Sequence, residues 1–203
     1  MTADAPEPAP EAPTPRKPRK IFLLAGLVVA TALGIGLFTS VGTNAKSSGA
    51  PHEGGPLPAF SGTDLNGSGQ AVVSSDGIGH GTPGVVLFFG NWCVACHTEL
   101  PPLAAAVRTQ QSRGGALAHV KVIGVDSEDT TASAKGFIHS TGVSFPVAYD
   151  PSLNITSGAF YFRGDPNAVF VNADGTINKI VVGDQLTAAG FTADERALIP
   201  NGT

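Results

Sequence analysis

Cys93 and Cys96 are the only cysteines of the chain, and they stand three apart in the run Trp92-Cys93-Val94-Ala95-Cys96-His97. A disulfide closing so short a loop restricts the unfolded chain by roughly 2 kcal/mol, against roughly 5 for a 100-residue loop, so the pair is a poor staple. Reversible thiol–disulfide chemistry explains the spacing better. At a helix N-terminus the first sulfur faces unpaired backbone N–H groups and the positive end of the helix dipole, and both favour thiolate. Cys93 is therefore the expected nucleophile, forming a mixed disulfide with a partner, and Cys96, one turn deeper, the residue that resolves it.

Three neighbours bear on this chemistry. Glu99 follows Cys96 by three residues, so on a helix its carboxylate shares a face with that sulfur and is placed to accept its proton or tune its pKa. An ordinary solvated glutamate is the competing reading. Trp92 is expected to pack beside the pair, shielding the disulfide while leaving one sulfur reachable. His97 completes a Cys-x-x-Cys-His string, which also spells a c-type haem attachment site with both thiols consumed and the histidine on iron. Against haem, the only methionine is Met1, so a second axial ligand would have to come from His52, His80, His119 or His139.

The pair needs a rigid element before it and a helix after it. Val85 to Phe89 is a continuous apolar run, the pattern of a strand buried on both faces of a sheet. It ends at Gly90-Asn91, with Asn91 a favoured N-cap, and from Cys93 onward Leu100, Leu103 and Val107 recur at helical spacing. Pro101 and Pro102 are expected to kink that helix. Val120 to Val125 reads as a second strand, Asp126-Ser127-Glu128-Asp129 as an acidic turn, and Thr131 to Ser140 as a helix, which implies a parallel right-handed crossover. Ala168 to Asn172 and Thr176 to Val182 flank the turn dipeptide Asp174-Gly175 and read as a hairpin. Thr187 to Ile199 reads as a last helix, and the pieces between Leu57 and Ile78 as a small edge hairpin. The sum is an α/β domain with a mixed sheet.

What precedes residue 56 has a different composition. Met1 to Lys20 holds six of the sixteen prolines and no aromatic residue, so it reads as a disordered tail. Arg16, Lys17, Arg19 and Lys20 then abut Ile21 to Val41, an uncharged stretch long enough at about 1.5 Å per residue to cross a bilayer core of about 30 Å. The positive-inside rule puts the N-terminus in the cytoplasm and the rest outside. A cleaved signal peptide is the alternative, but the apolar run exceeds the usual h-region. Residues 42–55, rich in Gly and Ser, read as a flexible linker, and 56–203 as the redox domain. After Val41 there are 8 Lys and Arg against 13 Asp and Glu, a balance that disfavours nucleic acid as a partner.

Taken together, these residues resemble the membrane-anchored thioredoxin-like proteins of the TlpA/ResA/CcmG (DsbE-like) group over about Leu57 to Ile199. The specific parts are Trp92 to Cys96, then Glu99 and Pro101, Gly164-Asp165-Pro166 before a strand, and Asn172 to Gly175. The resemblance implies a thioredoxin fold with an N-terminal β-hairpin and a central insertion, active in thiol–disulfide exchange outside the cytoplasm. It implies a cis peptide bond at Pro166, which with Asp165 and Trp92 would receive a bound peptide, and it makes Glu99 an acidic residue near the thiols. Partners would be exported cysteine-containing proteins, apocytochromes c among them, and a redox partner in the bacterial cell membrane. No metal and no cofactor is implied. Two departures stand out: Asp165 puts a charge where a neutral residue is commoner, and Val94-Ala95 lacks the proline common between the cysteines. Peroxidases of the same fold carry Pro-x-x-x-Thr-x-x-Cys, and the matching positions here are Val86 and Gly90.

Overall fold

The computed structural model describes residues 49–199. The expected tail at 1–20, the anchor at 21–41 and the first part of the linker lie outside the described residues. Among the described residues no helix is long and apolar enough to cross a membrane.

The elements run β1 (Ser61–Thr63), β2 (Val72–Ser74), β3 (Gly84–Phe89), α1 (Val94–Arg113), β4 (Lys121–Ser127), α2 (Thr131–Thr141), β5 (Val147–Asp150), β6 (Asn167–Val171), β7 (Ile177–Val182) and α3 (Ala188–Ala197). Five strands form one sheet in the order β5-β4-β3-β6-β7. β3 is parallel to β4 and antiparallel to β6, so the sheet is parallel in its first half and antiparallel in its second. This is the mixed sheet of a thioredoxin-like fold. α2 and β5 lie between β4 and β6 in the chain.

β3 is buried at every position because both faces of the sheet are covered. Val85, Leu87 and Phe89 join α1, α2 and α3 residues such as Leu100, Phe137 and Phe191 in one core. Val86 and Phe88 join Phe60, Val73, Ile155 and Phe160 in the other. Alternation of side chains along the strand divides the two. A π-helical turn, Asn154–Ala159, carries Phe160 and Phe162 onto Phe88, with ring centroids 4.7 and 5.0 Å away.

Both sheet edges are occupied. β1 and β2 form the small hairpin, antiparallel, and Asp64 bridges to Ala148 on the β5 edge. Asn66 Nδ2 donates to Val143 O at 3.2 Å and Phe145 O at 2.8 Å, pinning the hairpin loop to the chain before β5. At the other edge, Gly54 N donates to Ile177 O and Ile177 N to Gly55 O, while Ile180 N donates to Glu53 Oε1 at 3.3 Å. The last residues assigned to the linker are thus paired to β7.

Two expectations need correcting. β4 extends to Ser127 rather than stopping at Val125, because Asp126 and Ser127 pair with Tyr149 and Asp150 on β5. The helix cap is Cys93, not Asn91. α1 continues through Pro101 and Pro102 to Arg113. The N–H groups these prolines lack would have served the carbonyls of His97 and Thr98, both on the exposed face of the helix, where solvent can serve instead.

Candidate active site

β3 delivers the chain to the site, and a tight turn aims it. A Cβ on Gly90 would meet Trp92 Nε1 at 2.5 Å and Ser127 O at 2.7 Å, so only glycine fits where the turn passes under β4. Asn91 N donates to Asp129 Oδ2, and Trp92 Nε1 donates to Ser127 O at 2.7 Å. These bonds fasten the turn to the β4–α2 connection and leave the Trp92 ring 45% exposed.

Cys93 and Cys96 form a disulfide with an S–S distance of 2.07 Å. Cys93 is the N-cap of α1: its φ and ψ are extended, and its Sγ accepts the Cys96 backbone N–H at 3.1 Å. A cap side chain satisfies one of the orphan donors at a helix start, and here sulfur does what oxygen usually does. Cys93 retains 3% of its surface and Cys96 none, while Val94 between them is 85% exposed.

The flanking side chains divide sharply. His97 Nε2 donates to Asn91 O at 2.7 Å and its ring packs on Phe137 with centroids 4.7 Å apart. With that nitrogen engaged and both sulfurs in a disulfide, the string does not take the arrangement of a haem site. Glu99 is half-buried one turn beyond Cys96 and makes no side-chain hydrogen bond to any described residue. Among the described residues no group of three His, Cys, Asp or Glu side chains is placed to hold a metal ion.

The Asp165–Pro166 peptide bond is cis. Pro166 immediately precedes β6, whose first residue Asn167 pairs with Phe88, so this bond stands beside the strand end that leads to Cys93. Asp165 is held from two sides. Ser127 Oγ donates to its Oδ2, and Asn167 Nδ2 donates to its Oδ1 at 3.3 Å. Burial pushes its carboxyl up to about 6, against the pull of those two bonds.

Sequence reasoning missed Asp126. It is fully buried, and neither carboxylate oxygen has a hydrogen-bond partner among the described residues. Burial, the negative charges of Asp129 and Asp165, and the approach of the Asp129 carboxyl together push its carboxyl up to about 8. The sequence carries no local signal for it, since its burial follows from the register that pairs it with Phe89 on one side and Tyr149 on the other.

The chain matches the AhpC/TSA family over residues 54–180. Among curated proteins it is similar to the thiol-disulfide oxidoreductase ResA of Bacillus subtilis, 29% identical over 170 residues, covering 83% of this chain and 88% of that protein. ResA of Geobacillus kaustophilus is 25% identical over 158 residues, covering 77% and 83%. Among solved structures, the fold is similar to a secreted Mycobacterium tuberculosis disulfide oxidoreductase homologous to Escherichia coli DsbE, with a TM-score of 0.57 at 20% identity, covering 68% of this chain and 96% of that one. A disulfide isomerase-like protein of Bacteroides thetaiotaomicron gives a TM-score of 0.60 at 22% identity, covering 73% and 88%. The match spans well over half of its length, so this chain belongs to the AhpC/TSA family of thioredoxin-like proteins.

Proposed function

We propose that this chain is a thiol–disulfide oxidoreductase, tethered by residues 21–41 and exchanging disulfides with cysteine-containing proteins outside the cytoplasm. The observation that carries the reading is Cys93 Sγ at the cap of α1, accepting the Cys96 N–H. In the reduced form the same N–H and the helix dipole stabilise negative charge on that sulfur.

The steps follow from that placement. The Cys93 thiolate attacks a partner disulfide, forming a mixed disulfide and releasing one partner thiolate. Cys96 then gives up its proton, with Glu99 the nearby acceptor, and attacks Cys93 Sγ to expel the second partner thiolate. The partner gains two electrons and the Cys93–Cys96 bond forms. Run backwards, the same steps oxidise a partner dithiol. Trp92, the Asp165 backbone and cis-Pro166 receive the partner strand, and a membrane redox protein resets the pair. Apocytochromes c and other exported proteins are the substrates this placement suits.

Turnover of a disulfide-bonded test protein should vanish in Cys93→Ser, while Cys96→Ser should accumulate mixed disulfides on non-reducing gels. Turnover that survives Cys93→Ser would overturn the proposal. A peroxidase reading has less support, because the position where those enzymes carry threonine is Gly90, and a Cβ there would strike Ser127 O.

A further inference from the structure

Asp126 has no part in the exchange steps above, yet its placement ties it to them. Side chains alternate along β4: Ile123 and Val125 enter the core of one face, whereas Val122 enters the core that contains Cys93, Cys96, Phe89 and Phe137. Asp126, four residues on from Val122, points to that second face. Its register partners are Phe89, four residues before Cys93, and Tyr149. A carboxyl therefore lies behind the start of α1, with no surface exposed, no cation beside it among the described residues, and the Asp129 carboxyl close enough to strengthen its hold on a proton.

The titratable groups around it offer no compensating cation. Asp129 comes from the β4–α2 connection and is already engaged by Asn91 N and Ser133 Oγ. Asp165 comes from the loop before β6 and is engaged by Ser127. From β5, Tyr149 donates its hydroxyl to Asp129 O. From α1, His97 is bound to Asn91 O, and Glu99 adds a further acid. Lys135 and His139 of α2 line a cavity with Arg108 and Gly142, and neither makes an ion pair with a described residue. Among the described residues the one ion pair is Lys179–Asp194. An isolated charge at Asp126 has nothing to pair with, so the neutral acid is the form this site favours.

We propose that Asp126 is a positioning residue for the thiol chemistry: its carboxyl holds a proton behind the disulfide and yields to the negative charge Cys93 takes up on reduction. The inference rests on the exchange reading above. Reduction by a partner dithiol delivers two electrons to the Cys93–Cys96 bond. With Cys93 left as thiolate and Cys96 as thiol, it takes up one proton at Cys96. Where Asp126 is ionised in the disulfide form, the new charge on Cys93 draws a further fraction of a proton from solvent onto Asp126. Reduction and proton binding at this carboxyl are thereby linked.

The test is a carboxyl-carbon NMR titration of Asp126 in the wild-type full chain in both redox states. Beside it, the reduction potential of the pair is followed against pH in the wild type, Asp126→Asn and Asp126→Glu. Asp126 should titrate near pH 8 in the disulfide form and at a higher pH in the dithiol form. Between about pH 8 and the higher pH at which the dithiol form titrates, the wild-type potential should fall more steeply with pH than that of Asp126→Asn, and below about pH 6 the two slopes should coincide. Asp126→Glu should keep the steeper slope. A carboxyl that titrates at the same pH in both redox states overturns the proposal, as does a difference between wild type and Asp126→Asn that is constant at every pH. If the variants do not fold, the wild-type titration decides alone. Turnover independent of Cys93 would instead sink the exchange reading, an outcome distinct from either.

Discussion

Ser127 has one proton to donate and two oxygens within reach of it. Its Oγ lies 3.2 Å from Phe89 O and is bonded to Asp165 Oδ2. With Asp165 ionised, the hydroxyl donates to the carboxylate and not to the Phe89 carbonyl. With Asp165 protonated, the acid donates to Ser127 and Ser127 donates to Phe89, so both contacts become hydrogen bonds. The folded carboxyl is raised from 3.8 to about 6, so between those values the folded state holds a proton that the unfolded state has released. The sign follows: this contribution to stability is fully present below about pH 4, declines as pH rises through 6, and is flat above. Asp165→Asn keeps a neutral amide there. The melting temperature of the wild type, compared with that of Asp165→Asn, should therefore drop between about pH 4 and 6, by the equivalent of about 2 kcal/mol, and then stay level. A difference that ignores pH would mean that the amide merely packs differently.

The turn between β3 and α1 is the element on which the site depends, and its tolerance is narrow. Gly90→Ala places a methyl against Ser127 O and Trp92 Nε1, neither of which can retreat without giving up the bond between them. The change should cost about 2 kcal/mol or more in denaturant unfolding. Since Trp92 is the only tryptophan, the native fluorescence should shift with it, reporting the loss of the indole bond to Ser127. Unchanged stability and unchanged emission would show that the turn has room to spare. The same turn shows what a sequence discloses. β3, the start of α1 and the hairpin of β6 and β7 were legible because each announces itself locally, by an apolar run, a Cys-x-x-Cys string or Asp174-Gly175, where Gly175 takes a φ of +87°. The cap at Cys93 was not, because Asn91 has the commoner cap side chain and spends its backbone N–H on Asp129 instead. The burial of Asp126 was not, because it follows from pairing between segments far apart in the chain. An acidic run of four residues reads as a solvated turn until β5 is laid beside it.

At the scale of the described domain, strand direction separates its first paired residues from the dithiol. β3 runs toward the dithiol, β6 runs back, and β7 runs parallel to β3, so Ile177 at the start of β7 is level with Val171 and Gly84. Gly54 and Gly55 bind Ile177. Gly54 and Gly55 thus pair at the end of the sheet away from Phe89, five residues or about 17 Å along β3. Trp92, Val94 and cis-Pro166 lie toward the other end of the sheet. The proposed anchor has consequences at this scale. The full chain should stay with the membrane fraction through an alkaline wash, whereas a chain beginning at residue 42 should be soluble and still exchange disulfides, since none of the site residues precedes it. In intact cells, a membrane-impermeant maleimide should label Cys93 after mild reduction and should fail to label Cys93→Ser, Cys96→Ser. Recovery of the full chain in the soluble cytoplasmic fraction, with its thiols protected from that reagent, would refute both the anchor and the side of the membrane on which the dithiol is placed.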